Sequence, residues 1–280
     1  MSNPVVILGA TGQVGTSLAR LLPGAGLLGR ADLDLAHPAD VGQVLERLRP
    51  STIFNCAGYT AVDAAEDDEE LATVVNGAAV GAMAAWCARN KARLVTFSTD
   101  YVFDGDAADP YLESSPVNPI NAYGRSKLVG EQLALESGAA VLLIRTSWVF
   151  SEVPPNFVAT ILARAARGNL EVVDDQWGRP TIASDLAAAV LEAEAAGATG
   201  ILHLAGEGVT TWYELARTAL EIAGINDQVR PCSTGDHPTR ARRPRYSVLG
   251  SERASLLGLA PMPHWRTGLP AVVDALLAKA

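Results

Sequence analysis

The feature that most narrows what this chain can fold into is an alternation of short, uninterrupted apolar runs with long helix-like stretches. The runs are Val5-Val6-Ile7-Leu8, Thr52-Ile53-Phe54-Asn55, Leu94-Val95-Thr96-Phe97 and Val141-Leu142-Leu143-Ile144. A strand covered on both faces reads as a continuous apolar run, so these are predicted to be parallel strands inside a buried sheet. Between them, residues 67–90 open on acids and continue in Ala and Val, and Tyr123 to Glu136 forms a second helix-like stretch. Strands alternating with helices through right-handed crossovers make an α/β fold, a doubly wound parallel sheet of the Rossmann type.

The alternation loosens after residue 150, where Val153-Pro154-Pro155 and Trp177-Gly178-Arg179-Pro180 punctuate the chain. Residues 1–150 are predicted to hold the sheet, and residues 151–280 to build mainly a smaller C-terminal lobe, with some segments returning to the first domain. A helix-like Trp212 to Ala223 and a Pro- and Arg-rich stretch from Arg230 to Arg245 lie in that second part. Such a lobe closes one side of a cleft above the carboxyl ends of the strands, where open α/β sheets bind ligands.

A length of 280 residues, 49% of them hydrophobic, suits one large core with a smaller attached lobe. The formal net charge of -9 lacks the basic excess of a nucleic-acid binder, so no nucleic-acid partner is expected. Met1-Ser2-Asn3-Pro4 carries no basic leader and the run Val5 to Leu8 stops at Gly9, which predicts neither signal peptide nor membrane span, hence a cytoplasmic protein. Cys56, Cys87 and Cys232 are widely spaced and odd in number, and His37, His203, His237 and His264 show no ligand spacing. Reduced thiols and no protein-bound catalytic metal are expected.

Directly after the first run comes Gly9-Ala10-Thr11-Gly12-Gln13-Val14-Gly15, a Gly-x-x-Gly-x-x-Gly turn. Glycines there permit a tight turn, let backbone approach a diphosphate, and aim the next helix's N-terminus at its charge. Residues 1–150 thus read as a dinucleotide-binding domain. The tip of the second strand should read the adenosine ribose, where a carboxylate suits a 2'-hydroxyl and an arginine a 2'-phosphate. Arg30 and Asp34 offer both signals, which leaves NADPH and NADH open, with a lean to NADPH or dual use.

Tyr123-Gly124-Arg125-Ser126-Lys127 puts a tyrosine and a lysine at i and i+4, on one face of the predicted helix. A phenol titrates near 10, and a nearby ammonium stabilises phenolate, making the tyrosine a usable proton donor at neutral pH. The strand before it ends in Phe97-Ser98-Thr99-Asp100, small hydroxyls at the edge where a carbonyl substrate would sit. Strand-edge hydroxyl, Tyr-x-x-x-Lys and an N-terminal glycine turn together resemble the short-chain dehydrogenase/reductase superfamily. In this reading Tyr123 donates a proton to a ketone oxygen, Lys127 tunes the tyrosine and holds the nicotinamide ribose, and Thr99 assists the carbonyl.

The chain also resembles the dTDP-4-dehydrorhamnose reductase family, which completes dTDP-L-rhamnose synthesis, over nearly its whole length. The resemblance rests on residues 12–15, on Tyr59-Thr60-Ala61-Val62-Asp63-Ala64-Ala65-Glu66, on Ser98-Thr99-Asp100-Tyr101-Val102-Phe103-Asp104-Gly105 and on the stretch from Asn121 to Glu131. Further stretches are Arg145-Thr146-Ser147-Trp148-Val149-Phe150, Asp175-Gln176-Trp177-Gly178-Arg179-Pro180-Thr181 and Arg243-Pro244-Arg245-Tyr246-Ser247. It implies that Gly12, Gln13 and Val14 line the cofactor diphosphate, that Asp34 and Leu35 lie near the adenosine, and that Ala57, Gly58 and Tyr59 wrap its middle. It also implies that Thr99 and Asp100 touch the sugar of a dTDP-linked 4-keto-6-deoxysugar, with Trp148 packed on it.

Asp63 and Glu66 look like paired carboxylates, but acids ahead of a helix are better read as favouring its positive end. Among Arg240, Arg242, Arg243 and Arg245, a guanidinium matches the substrate diphosphate, and Arg243 is the candidate. Two departures from the family stand out. Some members dimerise around a magnesium ion held by glutamates, one of them just after Gly-Gln-Val-Gly; here Thr16-Ser17-Leu18 carries no acid, so a monomer is expected. Leu249-Gly250 replaces the family's Leu-Asp and is expected to loosen a loop of the small lobe. The alternatives are a reductase of another nucleotide deoxysugar and a non-catalytic, cofactor-binding regulatory subunit; intact Thr99, Tyr123 and Lys127 favour catalysis.

Overall fold

The computed structural model describes residues 5–168, 170–225 and 229–279. In chain order the elements of the first half are β1 Val5–Leu8, α1 Gln13–Leu21, β2 Gly26–Leu28, α2 Pro38–Leu48, β3 Thr52–Asn55, α3 Val62–Ala65, α4 Glu69–Thr73, α5 Ala79–Asn90, β4 Arg93–Thr99, α6 Ala122–Glu136 and β5 Ala140–Thr146. They continue as β6 Val149–Phe150, α7 Phe157–Ala165, β7 Leu170–Val173, β8 Trp177–Gly178, β9 Thr181–Ile182, α8 Ala183–Ala195, β10 Gly200–His203, β11 Thr210–Thr211, α9 Trp212–Ile222, β12 Val229–Cys232 and α10 Trp265–Leu277.

Six strands form one sheet in the order β10-β5-β4-β3-β1-β2, all of whose pairings are parallel. The four apolar runs are strands of this sheet, and the doubly wound α/β reading holds. One face is covered by Val41, Val44 and Leu45 of α2 with Val80, Met83 and Trp86 of α5. The other is covered by Leu18 of α1 with Leu186, Ala187 and Val190 of α8. Burial on both faces is why the strands carry no polar alternation. A separate core joins α7, α9 and α10 through Ile161, Leu215, Trp265 and Leu269 and forms the smaller lobe. Because α1 leads from β1 to β2 over one face and α2 leads from β2 back past β1 to β3 over the other, the direction of winding reverses at β1, and the crevice at its carboxyl end is the switch point where ligands bind.

The helix expected over residues 67–90 begins two residues later. Asp68 is its N-cap, its carboxylate accepting from the Leu71 amide at 3.1 Å. Between α4 and α5 the helix widens into a π-helical turn, Val74–Ala78. The cause is a set of tertiary bonds: Asn76 accepts from the Tyr59 amide at 2.9 Å and donates to the Tyr59 carbonyl and the Ser126 hydroxyl, both at 2.9 Å. A π turn inserts one residue and re-aims a side chain, a device common at functional sites. Glu69–Asn90 is long and apolar enough by composition to cross a bilayer, but Ala72, Val75, Val80, Met83 and Trp86 are packed into the core, which accounts for its apolarity.

Gly250 does not loosen a small-lobe loop. Its amide donates to the Tyr111 carbonyl at 2.8 Å, the Tyr111 amide donates to the Val248 carbonyl at 2.8 Å, and Leu249 is buried with Val102, Phe103 and Tyr111. The segment is clasped beside β10, where the Gly250 carbonyl lies 2.8 Å from His203 Nδ1.

Candidate active site

A cavity of about 600 Å³ opens along the carboxyl ends of β1, β3, β4 and β5. One end is walled by the turn after β1. Gly9 has a φ of 68°, and a Cβ there would stand 2.7 Å from the Ala57 amide nitrogen, so only glycine lets the two loops meet. Gly15 does not face the cavity; a Cβ on it would fall 2.1 Å from the Gly9 carbonyl oxygen, so it seats α1 against the turn. Gly12 is the N-cap of α1 and supplies no side-chain cap. The first amides of α1 therefore remain donors toward the cavity, the arrangement that receives a diphosphate.

Gly9, Gly12, Gln13, Val14, Arg30, Asp34, Leu35, Ala57 and Gly58 all line this cavity. Arg30 and Asp34 sit at its mouth, 3.8 Å apart, with the arginine side chain 81% exposed. Asp34 is already engaged, accepting from the Ala36 amide at 3.0 Å. Tyr59 is not on the lining. Its backbone is held by Asn76 and its ring packs beside Ala65, Ala72 and Ala122.

At the other end of the same cavity Thr99, Asp100, Tyr123, Lys127 and Trp148 converge. Tyr123 and Lys127 share a face of α6. That helix starts at Asn121, whose side chain accepts from the Gly124 amide at 2.8 Å, and the Ala122 amide donates to Glu66 at 2.8 Å. Burial pushes the Tyr123 phenol above its usual range, and the Thr99 hydroxyl pulls it back down. Burial lowers Lys127 to about 8 against the opposing pull of Glu131. Its ammonium donates to the Phe97 carbonyl at 2.8 Å. Asp100 is 2% exposed; burial raises it to about 7, with the Ser247 and Thr99 hydroxyls drawing it back.

Trp148 holds a φ of 48°, a left-handed conformation that costs a bulky residue energy, and it stacks on Trp212 with centroids 3.6 Å apart. Gly178 lies against its ring, where a Cβ would meet the indole at 2.4 Å. This aromatic platform joins the sheet domain to the small lobe at the cavity wall. Gln13 makes a second junction, donating to the Val149 carbonyl at 3.3 Å and accepting from the Ser151 hydroxyl at 3.0 Å.

Arg243 is not brought to the cavity. It donates to Asp63 at 2.9 Å and lies over the Tyr101 ring, 5.9 Å from its centroid, while Arg240 pairs with Asp67. The acids around residues 63–70 are the reason: Asp63 also accepts from the Ala241 amide at 2.9 Å, so they clasp the arginine-rich segment. Glu66 does face a positive helix end, as expected of such acids, but that of α6 rather than of its own segment. Residues the sequence did not single out include Asn76 and Thr146, whereas Ser98 is one of the small hydroxyls expected at the strand edge. The hydroxyls of Ser98 and Thr146 are buried at the cavity without a partner. The one signal for Asn76 was a polar residue inside the apolar run Val74-Val75-Asn76-Gly77.

A single cavity that joins a dinucleotide-type turn to a half-buried Tyr123 and a buried Lys127 marks the protein as an extended short-chain dehydrogenase/reductase. The particular family is set by the chain as a whole. Residues 3–278 match the RmlD substrate binding domain family, and the chain belongs to it. It is 39% identical over 279 residues to a dTDP-4-keto-6-deoxy-D-glucose reductase of Streptomyces niveus, covering 96% of each chain. It is 38% identical to a dTDP-4-dehydrorhamnose reductase of Burkholderia thailandensis, covering 98% of this chain and 99% of the relative. The crystal structure of dTDP-4-dehydrorhamnose reductase from Bacillus anthracis in complex with NADP superposes with a TM-score of 0.93 at 34% identity, covering 98% and 99% of the two chains.

Proposed function

We propose that the protein uses NADPH or NADH to reduce the C4 ketone of a dTDP-linked 4-keto-6-deoxysugar, dTDP-4-dehydro-L-rhamnose being the substrate and dTDP-L-rhamnose the product. The observation that carries this reading is the placement of Tyr123 and Lys127 in the cavity that also holds the glycine turn. The residues fit a dinucleotide: free amides of α1 toward a diphosphate, Arg30 and Asp34 at the adenosine end, and partnerless Ser98 and Thr146 hydroxyls at the reacting end. When bound, its reduced nicotinamide supplies hydride chemistry.

The chain's own residues do the rest. Tyr123 gives its phenolic proton to the ketone oxygen, and Thr99 orients that oxygen by a hydrogen bond. Lys127, held by the Phe97 carbonyl, stabilises the phenolate and faces the ribose. Trp148 supplies an apolar floor for the sugar ring and Asp100 a polar contact to its hydroxyls. Tyr59 and Gly15 act by shaping the turn. Any contact of Arg243 with the substrate diphosphate requires its Nη1, which has no partner now, because Nη2 serves Asp63.

Relatives of nearly equal identity carry the names of reductases for different sugars, which makes another nucleotide 4-ketosugar the second reading. The test is NADPH oxidation at 340 nm with dTDP-4-keto-6-deoxy-L-mannose beside its D-glucose-configured isomer. Turnover confined to the isomer selects the second reading, and cofactor binding with no turnover on either selects a regulatory subunit. Tyr123→Phe is expected to bind cofactor normally and lose at least about a hundredfold in kcat; an undiminished kcat removes Tyr123 as donor.

A further inference from the structure

Each reduction leaves Tyr123 as phenolate in a buried site, and a proton must come from somewhere before the next turnover. Thr99 ends β4 and Asp100 opens a 3₁₀ turn, Asp100–Val102, directly behind it. The Thr99 hydroxyl donates to Asp100 Oδ1 at 3.0 Å, it draws down the Tyr123 phenol, and all three side chains line the same end of the cavity, so Thr99 is placed between carboxyl and phenol. Asp100 is buried with Oδ2 free of any partner and lines the cavity. A carboxylate with an unpaired buried oxygen is costly, and protonation relieves the cost.

We propose that Asp100 is the internal proton source that restores Tyr123 after each turnover, acting through the Thr99 hydroxyl. This rests on the reading of Tyr123 as proton donor. The step balances: Tyr123 phenolate takes the Thr99 hydroxyl proton, Thr99 takes the Asp100 carboxyl proton, and Asp100 is left as carboxylate until water entering the open cavity reprotonates it. No electrons move. The transfer runs downhill, because the phenol is held above its usual range while the carboxyl sits near neutrality. The groups facing Asp100 do not reverse this. Ser247 offers a hydroxyl, Tyr101 is a neutral phenol, Tyr123 as phenolate is the acceptor itself, Lys127 on α6 is tied to the Phe97 carbonyl, and the Arg243 charge over Tyr101 is balanced by Asp63.

The test is rapid mixing of holoenzyme with the dTDP-4-keto-6-deoxysugar, following NADPH. Asp100→Asn keeps the shape but has no acid proton. It should consume one equivalent per site in a burst and then turn over at least about tenfold more slowly than wild type. Wild type should show no burst, and its rate should fall as pH rises through about 7. Asp100→Ala should regain steady turnover with added formic acid in proportion to the protonated form, which a structural role would not produce. Equal slowing of the first and later turnovers in Asp100→Asn, unchanged turnover, or no response to formic acid in Asp100→Ala overturns the relay while leaving Tyr123 in place. A wild type that oxidises no NADPH overturns the underlying reading instead.

Discussion

Lys127 carries two pH dependences of opposite sign, and together they identify it. Its native value of about 8 lies below the usual lysine range near 10.5. Between those values the unfolded chain holds a proton that the native chain lacks, so stability should rise with pH across that window. Activity that needs the ammonium should fall as pH passes about 8 in kcat/KM profiles of the free enzyme. Lys127→Met is expected to abolish both trends; a surviving alkaline limb assigns it to another group. At the cavity mouth, Asp34 is engaged by the Ala36 amide while the Arg30 side chain is free to swing toward a 2'-phosphate. Losing one charge-assisted contact costs about 1.5–3 kcal/mol, so Arg30→Ala should weaken NADPH roughly 10- to 100-fold in titrations and leave NADH nearly unchanged. Equal loss for both would move the discrimination elsewhere.

At the scale of elements, the helix that presents Tyr123 is anchored from outside itself. Glu66 accepts the Ala122 amide, and Gly130 lets α6 approach the π turn so closely that a Cβ would stand 2.1 Å from the Asn76 carbonyl oxygen. Removing an acceptor from a half-buried helix terminus costs about 1–2 kcal/mol. Glu66→Ala should lower the unfolding free energy by that amount, read as a lower urea midpoint at unchanged m, and Glu66→Gln, which keeps the oxygen, should recover most of it. What could be read in the sequence follows from range. The strands and the Tyr-Lys face of α6 are local periodicities, and the β1 turn declares itself in adjacent glycines. Glu66 meets its partner 56 residues away, Asn76 meets Ser126 at a separation of 50, and Asp63 meets Arg243 at 180. No local pattern encodes such pairs. That is why the tie of Arg243 to Asp63 and the π turn at Asn76 leave no mark in any local pattern. Gly250 misled for the same reason, its role being backbone pairing with Tyr111.

For the whole molecule, the route of the chain matters more than the count of its lobes. After building β6, α7 and β7, it comes back to add α8 against α1 and β10 against β5. A fragment ending at residue 150 would leave β5 as an open edge and uncover the apolar face of α1 around Leu18. An unpaired buried edge and an exposed apolar face both promote association, so residues 1–150 alone should elute as aggregates and show no cooperative urea transition. The intact chain should behave as one unit. Trp86 reports on the sheet core, and Trp265 on the small-lobe core. Amide hydrogen exchange around Trp86 and around Trp265 in the unmodified chain should report the same unfolding midpoint, because Gln13 and the Trp148–Trp212 stack bind the two cores together. NADPH at 100 times its Kd should raise both midpoints together by about 2.7 kcal/mol of stability. A cofactor that shifts the Trp86 transition alone would mean that the lobes unfold separately and that the cavity walls are not mechanically joined.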